Sequence, residues 1–214
     1  MNDESVRQIL AVSEFLGLSK RLGAIEGWLN HMEGYVLYRL ARDGEGAGAI
    51  VEIGSWMGRS TAWLAAGSMA AGREPVHAVD TFKGSAVHQG NAVLREEGTT
   101  YHRFAENLER VGVFDHVKPI IGDSRTAAAI WNGRPIRLLF IDGDHEYEAV
   151  KADFELWLPH VVPGGYVVFD DVNEKWPGVQ RVFAGATADA GPLKRVFGVG
   201  KIWVTRKRAP PASP

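Results

Sequence analysis

Two short apolar runs in this chain end in carboxylates: Ile141-Asp142-Gly143-Asp144-His145 and Phe169-Asp170-Asp171. A helix-length segment separates them, so they can lie side by side in a parallel sheet and bring three or four acids to one edge. Like charges at that separation raise one another's pKa values unless a cation lies among them. Hard divalent cations such as Mg²⁺ prefer oxygen ligands of this kind, which makes a metal the simplest compensation and a metal-free polar site the alternative. His145 carries an imidazole whose intrinsic pKa suits proton abstraction near neutral pH, although a lone histidine is as readily structural. Asp144 is placed to cap the helix that follows.

The elements that must position these groups are legible as strand–helix units. Ala49 to Ile53 reads as a strand, followed by a tight turn over Gly54-Ser55-Trp56-Met57-Gly58 and a helix from Thr61 to Ala71. Glycines in such a turn allow a ligand or another backbone to approach closely, and the helix after it offers unpaired N–H groups. Val76 to Asp80, Val117 to Ile121, Arg137 to Asp142 and Tyr166 to Phe169 are further strands. Leu193 to Phe197 and Lys201 to Thr205 alternate across Gly198-Val199-Gly200 as a hairpin. The expected fold is a doubly wound, mostly parallel seven-stranded α/β sheet with a C-terminal antiparallel hairpin. Ser5 to Ala41 reads as helices, with Trp28, Leu29, Met32, Val36, Leu37 and Leu40 at three- and four-residue steps. Residues 1–44 form an N-terminal helical segment and 45–206 the ligand-binding domain. The basic, proline-rich tail 207–214 is expected to be disordered, and the polar stretch Thr81 to Thr99 to be a mobile loop.

Composition narrows the function. The 214 residues carry a formal charge of −2, which leaves no broad basic footprint for nucleic acid. There is no cysteine, so disulfides, thiolate metal sites and cysteine nucleophiles are excluded. No apolar run approaches membrane-spanning length, and Met1 to Ser5 lacks the character of a signal peptide. A soluble cytoplasmic protein is expected, with no membrane partner. The N-terminal helices and Trp157, Trp176 and Trp203 are candidates for a homodimer surface, or for core.

Glu52, Gly54, Gly58 and Ser60, with Asp80 closing the next strand, resemble the cofactor motifs of class I S-adenosylmethionine-dependent methyltransferases over roughly Glu45 to Asp171. The spacing Glu-x-Gly-x-x-x-Gly-x-Ser is similar to that of the small metal-dependent O-methyltransferases, typified by the catechol and caffeoyl-coenzyme A enzymes and by antibiotic- and sugar-tailoring relatives. The resemblance implies S-adenosylmethionine at Gly54, Ser55, Trp56, Gly58 and Ser60, with Asp80 on the ribose, as an acid reads the ribose in dinucleotide sites. Glu52 suits the cofactor's ammonium or, equally, the N–H groups of the turn. Gly122, Asp123 and Ser124 match the segment that edges the adenine. Asp142, Asp170 and Asp171 match the three metal-ligand positions for Mg²⁺ or a similar ion, with Asp142 also counted among the cofactor-binding and catalytic residues. Many relatives carry asparagine where Asp171 stands. His145 takes the place of the family's catalytic lysine.

The implied activity is methyl transfer to a hydroxyl of a small molecule. A metal-independent methyltransferase and a catalytically silent cofactor-binding protein remain open, as does a nicotinamide-dependent oxidoreductase. The last fits less well, because a G-x-G-x-x-G fingerprint would need glycine where Trp56 stands.

Overall fold

Seven strands form one sheet in the order β3-β2-β1-β4-β5-β7-β6. The computed structural model describes residues 3–85, 88 and 90–209. The strands β1 (Ala49–Ile53), β2 (Val76–Asp80), β3 (Val117–Ile121), β4 (Ile136–Ile141) and β5 (Val161–Phe169) run parallel. β7 (Ile202–Lys207) lies antiparallel to both β5 and β6 (Leu193–Val199). This is the expected sheet with its C-terminal hairpin. Strand order reverses between β1 and β4, and a crevice opens at the carboxyl ends of the strands at such a switch point.

Both faces of the sheet are covered, which is why the strands read as continuous apolar runs rather than alternating ones. On one face Ile50, Ala78, Leu138, Phe140 and Val168 pack in one core with Leu37, Trp63 and Phe104. These last belong to α2 (His31–Asp43), α3 (Arg59–Ala70) and α5 (Tyr101–Arg110). On the other, Val51, Val79, Leu139, Ile141 and Val167 pack with Ala127, Val150, Phe154 and Val182. Those come from α6 (Ser124–Ile130), α7 (Tyr147–Trp157) and α8 (Pro177–Ala186).

Three expectations need correction. The N-terminal stretch forms helices as expected, α1 (Asp3–Leu22) and α2, but its apolar spacing is not one continuous stripe, because Asn30 starts a new helix with a capping box. Its side chain accepts from Glu33 N at 2.9 Å and its N–H donates to the Glu33 carboxylate at 2.7 Å. Trp28 and Met32 consequently fall off the buried stripe and are exposed. The stretch 81–99 holds a short helix, α4 (Ala92–Glu97), capped by Asn91 and stopped by Gly98 at φ 70°; positions 86, 87 and 89 lie outside the described residues.

The tail is held further than its composition suggests. Lys207 ends β7, its ammonium donating to the carbonyls of Leu158 and Val161, and Arg208 donates to those of Pro192 and Leu193. Residues 210–214 lie outside the described residues. Of the three tryptophans only Trp157 is fully buried; Trp176 and Trp203 are half-buried. Trp157 is buried and donates to Ser124 O, Trp203 packs on Phe183, and Trp176 stacks on His145. Among the described residues no helix is long and apolar enough to cross a membrane.

Candidate active site

The turn after β1 is shaped by what it must pass. Gly54 adopts φ 86°, and a Cβ there would lie 2.0 Å from the carbonyl oxygen of Asp142, so only glycine lets the ends of β1 and β4 come together. Gly58, at φ 89°, starts α3 and packs against Phe104 and Leu108. Asp80, at the tip of β2, fixes the same turn: Oδ2 accepts the N–H groups of Ser55 and Trp56, both at 2.7 Å, and Oδ1 accepts that of Phe82 at 2.7 Å.

Glu52 points the other way. Its fully buried carboxylate accepts the hydroxyls of Ser55 (2.7 Å) and Thr61. Burial, only partly offset by the hydroxyls of Ser60, Thr61 and Ser55, raises its pKa to about 7. Both hydroxyls go to Oε2, which braces the turn, while the buried Oε1 has no hydrogen-bond partner among the described residues.

At the tip of β3, Asp123 caps α6 by accepting Arg125 N at 2.9 Å. Ser124 Oγ donates to Asp153 of α7, whose pKa burial raises to about 6 against the pull of that hydroxyl. Asp153 had no signal in the sequence beyond a place on an amphipathic helix.

The two acidic strand ends do meet, since β4 and β5 are neighbours. Asp142 and Asp170 are held above the usual carboxylate range, first by burial; mutual repulsion adds to this for Asp142 and the charge of Asp171 for Asp170. Asp171 is pulled below that range, because His145 and Lys201 together outweigh its burial. Its Oδ2 lies 2.8 Å from His145 Nε2 and its Oδ1 lies 3.2 Å from Lys201 Nζ. Lys201 also pairs with Asp170, which is only 3% exposed. Burial opposes the charge on Lys201, but Asp142, Asp170 and Asp171 overcome it and raise its pKa.

Asp171 adopts φ 55°, a conformation uncommon for a residue with a Cβ and often found at functional sites. The His145 ring stacks on Trp176 with centroids 4.1 Å apart, and its backbone is closed in by Gly178, where a Cβ would come within 2.4 Å of His145 O. Asp144 accepts Glu146 N at 3.0 Å in the turn before α7; Glu146 is the N-cap of that helix and carries no side-chain cap, so the expected capping by Asp144 is not made.

One cleft of about 910 Å³ runs along these strand ends. It is lined by Gly54, Ser55, Trp56, Ser60, Asp80, Gly122, Asp123 and Ser124 at one end and by Asp142, His145, Asp170, Asp171 and Lys201 at the other. Glu52 and Gly58 do not line it. Its mouth is aromatic: His88 lies between Trp56 (4.5 Å) and Trp28 (5.0 Å), the latter 64% exposed. His102 stays on the surface. Lys201, Trp176 and the Trp28 loop were not singled out from the sequence for this site.

The donor set can be tested against a divalent ion. The trio Asp142, Asp170 and Asp171 does not fit one, because two of the three carboxylates already hold an ammonium. Asp142, His145 and Asp171 can bring ligand atoms within 4.8 Å of one another, but Asp171 is then shared with Lys201. What the arrangement offers without further groups is a histidine braced by a carboxylate, beside a fixed positive charge.

Known proteins agree with this picture at the level of family and fold. Catechol O-methyltransferase of Mycobacterium tuberculosis is 30% identical over 124 residues, 58% of this chain and 47% of that protein. The O-methyltransferase from Bacillus cereus in complex with SAH superimposes with a TM-score of 0.62 at 21% identity, covering 97% of this chain and 92% of that one. SAH-bound methyltransferase PaMTH1 of Podospora anserina gives 0.65 at 16% identity, covering 98% and 97%. The chain spans less than half the length of the curated relatives it matches. A family model described as a methyltransferase domain matches residues 51–172, more than half of the chain and the stretch that runs from β1 past Asp171. The chain belongs to this methyltransferase domain family.

Proposed function

We propose that the protein transfers a methyl group from S-adenosylmethionine to a hydroxyl of a small molecule. The observation that carries this is the continuity of the cleft: the β2 tip with its carboxylate and the His145–Asp171 pair open into the same cavity. Asp80 receives the ribose, Gly122 to Ser124 edge the adenine, and the turn from Gly54 to Ser60 follows the methionine end toward Asp142. The acceptor enters past Trp28 and His88, so the N-terminal segment forms part of the acceptor wall.

Methyl transfer from a sulfonium is an in-line displacement, and the protein's main task is alignment of oxygen, methyl carbon and sulfur. His145 takes the hydroxyl proton. With Nε2 buried against Asp171, Nδ1 is the nitrogen left to do so. Asp171, 2.8 Å from Nε2, sets the ring's orientation.

Calorimetry with S-adenosylhomocysteine and with NAD tests the cofactor, and a methyl-transfer assay over a panel of hydroxylated acceptors separates an enzyme from a silent binder. Binding of NAD in place of S-adenosylhomocysteine would overturn the reading. A metal-assisted reaction is the second reading, favoured by the Asp142–His145–Asp171 group. It requires Lys201 to yield Asp171, and loss of turnover on chelation would support it.

A further inference from the structure

The acid cluster needs a positive charge, and the C-terminal hairpin brings one. Lys201 stands in the turn before β7 with both backbone groups fixed: its N–H donates to Glu33 at 2.9 Å and its carbonyl accepts from Val172 at 3.0 Å. Glu33 is buried and locked in the capping box of α2. Gly200 precedes it at φ 56°, where a Cβ would meet Glu33 Oε1 at 2.2 Å, so the turn closes on Glu33 because that position is glycine. From this anchored backbone Nζ reaches Asp170 and Asp171, while the side chain keeps 21% exposure to the cleft.

We propose that Lys201 is the resident cation of this active site, and that the acid cluster takes up no divalent metal while its ammonium is there. The inference rests on the methyl-transfer reading above. As the acceptor hydroxyl gives its proton to His145, the charge that develops on the oxygen meets the Nζ–H donors. The new O–C bond forms as the C–S bond breaks, and the electron pair of that bond goes to sulfur, leaving a neutral thioether. Lys201 keeps its own proton throughout. A divalent ion could stabilise the same oxygen, but it requires several oxygen ligands, and Asp170 and Asp171 are already engaged. One carboxylate, Asp171, thereby sets both the base and the cation.

Mn²⁺ titration of the full chain by calorimetry, run beside the transfer assay in excess EDTA, tests the proposal. The wild type is expected to show no Mn²⁺ binding below about millimolar concentration and to keep its turnover in EDTA. Lys201→Ala should bind Mn²⁺ at least about tenfold more tightly, since a like charge has left the site. Lys201→Ala and Lys201→Gln should each lose roughly 10²-fold or more in kcat, with S-adenosylhomocysteine affinity unchanged. Lys201→Arg, which keeps a cation, should stay silent toward Mn²⁺.

Tight Mn²⁺ binding by the wild type that Asp142→Asn removes would overturn the proposal, as would Mn²⁺ affinity unchanged in Lys201→Ala. If the alanine variant does not fold alone, a gain in its melting temperature on adding Mn²⁺ that the wild type lacks supports the proposal, and equal responses refute it. The titration reads out even if no acceptor is ever methylated, so failure of the proposed reaction is distinguishable from failure of Lys201.

Discussion

The two ends of the cleft handle negative charge in opposite ways. At the β1–β2 end each carboxylate is answered from within the same strand–turn–helix unit or the strand beside it: Asp80 by three backbone N–H groups, Glu52 by the hydroxyls of the turn and of α3. At the β4–β5 end Asp142, Asp170 and Asp171 crowd together; His145 faces Asp171, and the ammonium that pairs with Asp170 and Asp171 comes from Lys201, thirty residues further along the chain. The first end draws its compensation from nearby chain, as suits a preorganised binding site. The second crowds three carboxylates and depends on a distant segment for its ammonium, the usual condition of a site where charge moves.

The sharpest way to break this comparison is at His145. His145→Ala should lower kcat by about 10²–10⁴-fold, the usual range for a general base, while S-adenosylhomocysteine affinity and melting temperature hold. Recovery of the rate at high pH would confirm the proton-transfer role, because hydroxide then replaces the imidazole. A loss below about fivefold at neutral pH would move His145 to the structural class.

Glu52 gives the corresponding test of the other end. Its pKa rises from 4.5 to about 7 on folding, so the native state binds the extra proton in that interval. The stability this contributes is complete below pH 4.5 and is lost as pH rises through 7. Glu52→Gln keeps an acceptor for the hydroxyls and removes the titration. Between pH 5 and 8 the wild type should therefore lose up to about 3 kcal/mol more than the variant in urea unfolding. Parallel pH profiles would mean that Glu52 is not a buried acid, and a large loss of S-adenosylhomocysteine affinity would return it to the cofactor.

Two smaller effects bear on which end binds what. Asp80→Ala should weaken S-adenosylhomocysteine binding by roughly tenfold or more, the scale of one lost charge-assisted hydrogen bond. Because Asp80 also holds the turn, Asp80→Asn serves as the milder companion, and unchanged affinity in both would remove Asp80 from the site. Trp28→Ala should raise the KM for the acceptor by about threefold to tenfold, the range of a partly exposed aromatic contact, and leave the cofactor untouched. An equal effect on both ligands would show that the mouth serves the whole cleft.

These differences also explain what could be read in advance. The strand–helix alternation, the glycine turn, the place of Asp80 at a strand tip and the meeting of Asp142 with Asp170 and Asp171 follow from local periodicity and from the rule that parallel strands end at one edge. Gly54 is a case in point: its type alone signals a close approach, and the structure shows that approach to be Asp142 O. Lys201 gave no such signal, because a lysine before a strand reads as solvated surface until the hairpin is seen to lie beside β5. Trp28 misled for a different reason. Its spacing fits a helical stripe, yet the capping box of Asn30 and Glu33 starts the helix after it. Long-range placement decided Lys201, whereas Asn30-x-x-Glu33 is a four-residue capping signature that the spacing of apolar residues overrode.

Glu33 joins the capping box at the start of α2 to the backbone of Lys201, 168 positions later. This contact gives the chain an order of assembly. While the polypeptide emerges from its N-terminus, the residues of the β1–β2 end are present early, but the acidic edge lacks its ammonium until the last hairpin docks. Repulsion among Asp142, Asp170 and Asp171 then favours docking of the strand that carries the ammonium, and the capping carboxylate gives that strand its register. The same segment carries β7, whose Ile202 and Val204 are fully buried in the core, so the ammonium that completes the site arrives with the strand that completes the sheet.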